Sequence, residues 1–287
     1  MIFVSTSGFK NKKISEIVEI LAINKFKNIE LSGGSTYYEG IEDDLVQLKT
    51  KYNLKLQLHN YFPPPKDDFV LNLSSNNDEI FDRSIDHYKR SIEMSKRLGS
   101  NKFALHAGYL VDPDVSELGK KIKKKIFNKR SIGIEKFSLG YNILKNFAGD
   151  EFDIYVENNV ISKSNYENFL FENPLLFTDF NSYLELKEKL DFKILLDIAH
   201  LKVSCNSLNL NFFEEFKKLS KLTDYFHISG NDNISDSNQS ICNDDDLNKL
   251  LKNFDVNNKV LTLEVYSGIK DIVDSFEYLN NSRKKFL

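Results

Sequence analysis

The sequence predicts an α/β fold, a closed (β/α)₈ barrel (a TIM barrel) formed by a single domain that spans residues 1–287. Three observations support this prediction. Short apolar, β-branched runs alternate with longer runs of helical spacing, which favours parallel strands. Eight such units can be counted, and none carries a Gly-rich dinucleotide loop. Four of the five histidines and three acidic residues fall at or just after the apolar runs, where a barrel builds its active site.

The predicted strands recur every few dozen residues along the chain. In order they are Ile2–Ser5, NIELS around Glu30, LKLQLH ending at His59, KFALH ending at His106, FDIYVE ending at Glu157, FKILLDIAH with Asp197 and His200, TDYFH ending at His227, and VLTLE ending at Glu264.

Helical spacing fills the intervals between these strands. The clearest case runs from about Asp78 to Leu98, where Ile80, Ile85, Ile92 and Leu98 form one apolar stripe and Gly99 follows as a C-terminal cap. Further helices are expected over the segments Ile14–Asn24, DDLVQLKTKYN and Ile269–Asn280.

Two long loops interrupt the alternation. The first covers residues 109–135 after the fourth strand and contains the basic run Lys120–Arg130. The second covers residues 229–246 after the seventh strand and is rich in Asn, Asp and Ser. Both are expected on the catalytic face, where loop variation sets specificity. The basic run is either a solvated helix face, which we favour, or a clamp for a phosphate or nucleotide group.

Composition limits the binding partners and the cellular compartment that we expect for this protein. A formal net charge of -3 gives no general field that attracts nucleic acid, so a nucleic-acid partner is not expected. Neither Cys205 nor Cys242 lies in a CxxC motif, which argues against a disulfide framework and a structural zinc site. The chain shows no leader pattern and no apolar stretch of the roughly 18 residues that a bilayer requires, so the cytoplasm is the expected compartment.

Four side chains form the first candidate site. Glu157, Asp197, His227 and Glu264 would end the fifth to eighth strands, and adjacent strand ends converge on the barrel mouth. Three carboxylates and one imidazole suit a divalent cation, Mn²⁺, Mg²⁺, Zn²⁺ or Fe²⁺, and the set alone does not choose among them. The alternative for any one acidic residue is that it caps the next helix.

The remaining histidines have several interpretations. His59 and His106 end the third and fourth strands, so they would complete a second cation site bridged by Glu157 or bind substrate. His200 lies three residues after Asp197 and would bind metal, contact substrate or cap the helix. His87 falls inside the helical segment SIDHYKRS and is expected to be solvated.

In their order and spacing these elements resemble the xylose-isomerase-like barrel superfamily, which contains sugar and sugar-phosphate isomerases and epimerases and the endonuclease IV group. The resemblance covers nearly the whole chain. It is carried by the segments LHNYFPPP from Leu58, HAGY from His106, VENN from Val156, LDIAH from Leu196 and HISGND from His227, and by Glu264. One element departs from the endonuclease branch, whose additional Asp-x-His pair holds a third zinc. The segment NDNISDSNQSICNDDD contains no histidine.

The resemblance implies a divalent-metal-dependent isomerase or epimerase of a sugar or sugar derivative, with or without a phosphate. Glu157 and Glu264 would exchange a proton with the carbon next to the carbonyl through a metal-stabilised enediolate. Glu30, Asn158 and Asp232 are expected to contact the substrate. The alternative is a metal-dependent hydrolase or phosphodiesterase of the endonuclease IV type with one or two ions, although Asp236 and the other acidic residues of loop 229–246 would repel a phosphodiester backbone. A barrel that only binds a ligand is a third alternative, and association into a homo-oligomer is left open.

Overall fold

The strands close into a barrel, as the sequence predicts. The computed structural model describes residues 1–123, 125 and 127–284. Its eight strands are all parallel and pair in chain order, and β8 pairs with β1 to complete the closure. They are β1 (Ile2–Ser5), β2 (Asn28–Leu31), β3 (Lys55–His59), β4 (Lys102–His106), β5 (Asp153–Glu157), β6 (Lys193–Asp197), β7 (Tyr225–Ile228) and β8 (Val260–Leu263).

Ten α-helices of the described chain lie in the intervals between and after the strands. They are α1 (Ile14–Ile23), α2 (Ile41–Tyr52), α3 (Asp78–Arg97), α4 (Arg130–Ala148), α5 (Lys163–Asn168), α6 (Phe180–Lys187), α7 (Ile198–Leu208), α8 (Phe212–Leu219), α9 (Asp245–Asn253) and α10 (Ile269–Lys284). Two helices follow β5 and two follow β6, so these units are longer than a simple strand–helix repeat.

The strands are apolar because both of their faces are covered. In β6 the four residues after Lys193 are buried, and in β1 all four residues are buried. Parallel strands between a filled barrel interior and an outer layer of helices read as continuous apolar runs for this reason. Polar side chains also enter the interior, both at the carboxyl ends, where they form the site described below, and in a layer beneath that site.

Helix α3 confirms one prediction and overturns another. Its bounds match the predicted helix, and Gly99 follows it with a φ of 75°, a conformation that suits glycine. The prediction that His87 is solvated was wrong, because His87 is buried against Phe69 and Tyr88. The buried face of α3 is wider than the Ile80–Leu98 stripe suggested, since it packs against both the barrel and α4.

The first long loop ends earlier than predicted. Helix α4 begins at Arg130, inside the segment expected to be loop up to residue 135. Within the basic run, the Lys125 ammonium donates to the Asp112 carbonyl at 2.6 Å and lies 3.3 Å from the Glu117 carboxylate. The Arg130 guanidinium contacts Glu185 at 2.5 Å. Lys125 and Arg130 therefore form ion pairs and hydrogen bonds that hold the loop against neighbouring parts of the chain.

The run is not a helix face over the residues described before Arg130. Two of its members, Lys124 and Ile126, lie outside the described residues. The part of the first loop that reaches the barrel mouth is apolar instead, through Val115 and Leu118.

The second loop, residues 229–246, ends at α9 almost where the sequence predicts, and a short 3₁₀ turn occupies Ile241–Asn243. No helix in the described part of the chain has the length and apolar character needed to cross a membrane.

Candidate metal centre at the barrel mouth

The four predicted ligands meet at the carboxyl ends of β5 to β8. The Nδ1 atom of His227 lies 3.4 Å from Glu157 Oε1, 3.6 Å from Glu264 Oε2 and 3.9 Å from Asp197 Oδ2. Strand register places them side by side, since Asp197 pairs directly with His227 across β6 and β7. All four side chains are buried, although Glu264 still borders the open cavity.

Their free atoms fit a divalent cation. Glu157 Oε1, Asp197 Oδ2 and His227 Nδ1 are buried and form no hydrogen bond. Buried polar atoms without partners are costly, so three of them facing one point require an explanation. Atoms that each bind one ion at about 2.1 Å lie roughly 3–4 Å from one another. Glu157, Asp197 and His227 offer ligand atoms that all lie within 4.8 Å of one another, and Glu264 Oε2 lies 3.6 Å from His227 Nδ1. The residues present therefore fit the ion that the resemblance implies.

Asp197 caps a helix and still has a free oxygen that could bind a cation, so the two alternatives that the sequence left open are compatible. Its Oδ1 accepts a hydrogen bond of 2.7 Å from the backbone N–H of His200, which caps α7. Its Oδ2 remains free and faces His227. Glu157 and Glu264 lie five or more residues before the next helix, so capping does not account for either of them.

Burial and neighbouring charges set the protonation of this group. Burial would raise the pKa of Glu157, but His106, His59 and His227 hold it well below its ordinary value. Burial raises the pKa of Asp197 to about 7, against the opposing effect of His200. Burial would lower the pKa of His227, but the carboxylates around it, led by that of Glu30, raise it well above its ordinary value. A cation that binds here would supply the positive charge that the protonated His227 otherwise provides to the surrounding carboxylates.

Two histidines that end the third and fourth strands lie beside Oε2, the second carboxylate oxygen of Glu157. The Oε2 atom lies 2.5 Å from His59 Nε2 and 3.4 Å from His106 Nδ1. Burial lowers the pKa of His106 to about 4, so its imidazole is neutral near pH 7 and free to bind a cation or a hydroxyl. The two oxygens of Glu157 thus face two separate sets of side chains, the arrangement that a bridging carboxylate requires.

His200 lies on the β7–α9 side of this group and has a partner that sequence reasoning missed. Its Nδ1–H donates to the Asn158 carbonyl at 2.9 Å, and its Nε2 lies 3.4 Å from Asp236 Oδ2 and 3.8 Å from Asp197 Oδ2. Asp236 was recognised only as one of several acidic residues in loop 229–246. No strand or helix fixes its place, so its position could not be read from periodicity.

The three predicted substrate ligands do not line the cavity within the described residues. Asn158 uses both ends of its amide on the backbone of Asp197, at 3.0 and 2.8 Å. Asp232 accepts from the backbone N–H groups of Ile234 and Ser235 in an exposed turn. Glu30 lies inside the barrel beneath His227. Asn158 and Asp232 thus already have partners within the protein, and Glu30 is fully buried away from the cavity lining, so none of the three contacts the cavity.

A cavity of about 740 Å³ opens above the ligand group, within the roughly 300–1,000 Å³ usual for small-molecule sites. Glu157, Glu264 and three histidines (His59, His106 and His200) lie at its inner end. Its outer walls include side chains from the loops after β1 to β4, such as Lys10, Tyr61, Phe69 and Leu118. The inner end of the cavity is thus polar and lined by possible metal ligands, and its entrance is partly aromatic.

Comparison with known proteins defines the class. Residues 18–282 match the family described as Xylose isomerase-like TIM barrel. The chain therefore belongs to this family, in agreement with the resemblance seen in the sequence.

Individual relatives extend the likeness over most of the chain. The uncharacterized protein MJ1614 of Methanocaldococcus jannaschii is 29% identical over 242 residues, which is 83% of this chain and 80% of that protein. A structure described as a D-tagatose 3-epimerase-like protein superimposes with a TM-score of 0.73 at 20% identity and covers 99% of this chain and 97% of its own. Endonuclease IV from Thermus thermophilus gives a TM-score of 0.63 at 12% identity, with 99% of each chain covered. At these identities the structural neighbours establish the shared fold.

Proposed function

We propose that this protein is a divalent-cation-dependent isomerase or epimerase of a sugar or sugar derivative. The observation that carries the proposal is the convergence of Glu157, Asp197, His227 and Glu264 around one point, with three buried atoms that lack hydrogen bonds. The family supports it, because structures described as D-tagatose 3-epimerase-like and as L-ribulose 3-epimerase share the fold.

The cation would be held by these four side chains. Their mixture of carboxylate oxygens and one imidazole nitrogen accepts Mn²⁺, Mg²⁺, Zn²⁺ or Fe²⁺. When bound, the ion would act as a Lewis acid toward the carbonyl and adjacent hydroxyl of the sugar.

Glu157 and Glu264 are the proposed acid–base pair. Glu157 is held ionised by the surrounding histidines, so it is ready to accept a proton from the carbon next to the carbonyl. Glu264 lies at the cavity wall, where its Oε1 accepts a hydrogen bond of 3.3 Å from the Ser7 hydroxyl. In the reaction one carboxylate removes the proton and the other delivers it at the neighbouring position or on the opposite face.

The histidines at the cavity floor would orient the sugar. His106 is neutral near pH 7, because burial lowers its pKa to about 4, and with its Nδ1 lying 3.4 Å from Glu157 it offers Nε2 to a substrate hydroxyl. His200 donates from Nδ1 to the Asn158 carbonyl at 2.9 Å, which fixes its ring at the cavity lining with Nε2 3.4 Å from Asp236. Val115 and Leu118 add an apolar patch to the cavity lining.

Metal-assisted hydrolysis is the second candidate. The specific observation in its favour is the placement of His59 and His106 on the second oxygen of Glu157, which offers ligands for a second ion. Endonuclease IV from Thermus thermophilus shares the fold. Against this candidate, loop 229–246 contains no histidine and carries Asp236 close to His200. Such a loop repels the anionic backbone of a nucleic acid.

Deuterium exchange tests the leading proposal. The Mn²⁺-loaded protein is incubated in D₂O with a panel of ketoses and their phosphates, and incorporation next to the carbonyl is followed by NMR. We expect incorporation with at least one sugar. We expect Glu157→Gln and Glu264→Gln each to reduce the rate by about 10²–10⁴-fold, the usual contribution of a general acid or base.

Glu215→Gln is the matched control, because this buried carboxylate lies on α8 and hydrogen-bonds only to Phe180 and Lys218 in the described structure. It should leave exchange unchanged. Cleavage of a phosphodiester by the Mn²⁺- or Zn²⁺-loaded protein, without exchange in any sugar, would replace the proposal with the hydrolase. Full exchange in both active-site variants would remove the acid–base pair.

A further inference from the structure

A layer of polar side chains fills the barrel interior directly beneath the candidate metal centre. Glu30 of β2 is fully buried, and its Oε2 accepts hydrogen bonds from Gln57 Nε2 at 2.6 Å, from Thr262 Oγ1 at 2.8 Å and from the Tyr225 hydroxyl. Strands β2, β3, β7 and β8 each contribute one member of this layer. Interior positions of a barrel are usually filled by branched apolar residues, so a buried carboxylate here needs a reason.

The second oxygen of Glu30, Oε1, lies against His227 of the candidate metal centre on the side of the barrel interior. Glu30 Oε1 lies 2.8 Å from His227 Nε2, on the opposite side of the ring from Nδ1. Neither Glu30 Oε1 nor His227 Nε2 meets the geometry of a hydrogen bond to any group in the described structure, so these two buried atoms have only each other as close polar neighbours. The three donors on Oε2 fix the plane of the carboxylate and so direct Oε1 at the imidazole.

Charge balance points to the same partner. A buried carboxylate is stable only when a positive group or several donors compensate it. Gln57, Thr262 and Tyr225 donate to Oε2 of Glu30, and the His227 imidazole, 2.8 Å from Oε1, is the group that can carry a compensating positive charge. A cation on the Nδ1 side would leave the Nε2 proton toward Glu30, so that one imidazole stays between a metal and a carboxylate.

We propose that Glu30 is a positioning residue that holds His227 in the tautomer and orientation needed to bind the cation, and that Gln57, Tyr225 and Thr262 hold Glu30 in turn. This inference rests on the proposed function for the presence of the cation. It also reassigns Glu30, which the sequence placed among the substrate ligands. A carboxylate behind a ligating histidine fixes the ring and increases the basicity of its free nitrogen, and loss of such a partner typically weakens metal affinity by about 10–100-fold.

Metal binding gives the first readout. Mn²⁺ is titrated by calorimetry into the metal-free wild-type protein, Glu30→Gln and the control Glu215→Gln, whose carboxylate is also buried but lies on the outer helix α8. We expect Glu30→Gln to raise the Kd for Mn²⁺ by about 10–100-fold. The Kd of the control should stay within about twofold of wild type.

The tautomer of His227 gives a second readout that a purely structural role would not change. In ¹H–¹⁵N spectra of the Zn²⁺-loaded wild type, the imidazole proton of His227 should reside on Nε2. In Glu30→Gln that resonance should broaden or shift toward exchange with solvent. If Glu30→Gln does not fold, Thr262→Val removes only one of the three donors and should raise the Kd by a few fold.

The outcomes separate the two proposals. A wild-type protein that binds no divalent ion overturns both the metal-dependent function and the role of Glu30. A wild type that binds Mn²⁺, together with an unchanged Kd and an unchanged His227 resonance in Glu30→Gln, overturns the role of Glu30 alone. If Glu30→Gln is unfolded, an unchanged Kd in Thr262→Val overturns the role of Glu30.

Discussion

The buried ion pair between Lys202 and Asp244 offers a sharp test of how loop 229–246 is held over the site. Lys202 of α7 contacts both carboxylate oxygens of Asp244, at 2.6 and 2.7 Å, and the side chains are only 8% and 3% exposed. Asp244 also accepts from the backbone N–H groups of Asn231 at 3.1 Å and Leu247 at 3.0 Å. The pair therefore joins both ends of the loop that carries Asp236 to the helix that carries His200.

Lys202→Met should leave the Asp244 carboxylate buried with two backbone donors and no counter-charge. Breaking a buried pair from one side costs about 3–5 kcal/mol, and the two remaining N–H donors place the expected loss near about 3 kcal/mol. The further change Asp244→Asn removes the orphan charge and keeps an acceptor for the N-terminus of α9. The double variant should therefore regain about 1–2 kcal/mol of the loss.

Urea unfolding followed by circular dichroism measures these free energies of unfolding for the wild type, Lys202→Met and the double variant. A loss below about 1 kcal/mol in Lys202→Met would show that the pair does not stabilise the fold in this way. So would a double variant that is less stable than Lys202→Met, because relief of the buried charge is the basis of the expected recovery.

Two further predictions concern pH. Burial, with a smaller effect of Arg90, lowers the pKa of His87 to about 4 from an ordinary value of 6.5. The unfolded chain therefore binds more protons, and up to about 3 kcal/mol of stability is lost between pH 6.5 and 4. Acid unfolding of His87→Phe should lack this component, and identical pH profiles for the variant and wild type would contradict it. The affinity for Mn²⁺ should rise with pH, because the raised pKa values of His227 and Asp197 mean that binding displaces protons. Calorimetry in buffers of different ionisation enthalpy measures this release, and a Kd independent of pH between 6 and 8 would refute it.

The fold was largely predictable because each strand is short, apolar and bounded by clear helical spacing. All eight predicted strands are present, and α3 ends beside the expected Gly99. The errors lie where tertiary packing overrides a local pattern. His87 is buried because α3 packs on two sides, and α4 begins at Arg130 although the preceding basic run suggests a longer loop.

The candidate site was predictable where a strand end fixes the position of a side chain. Glu157, Asp197, His227 and Glu264 meet as expected, since strand register alone determines which residues reach the mouth. Asp236 was missed because it lies in a loop without periodicity. The position of Glu30 beneath His227 was missed because sequence spacing does not show how deep in the barrel a strand residue lies.

A crystal structure of the protein soaked with Mn²⁺, with anomalous scattering recorded at the manganese edge, tests the central claim most directly. We expect a peak about 2.0–2.3 Å from His227 Nδ1 and from oxygens of Glu157, Asp197 and Glu264. A peak held by other residues, or full manganese loading in solution without density between these four side chains, would contradict it.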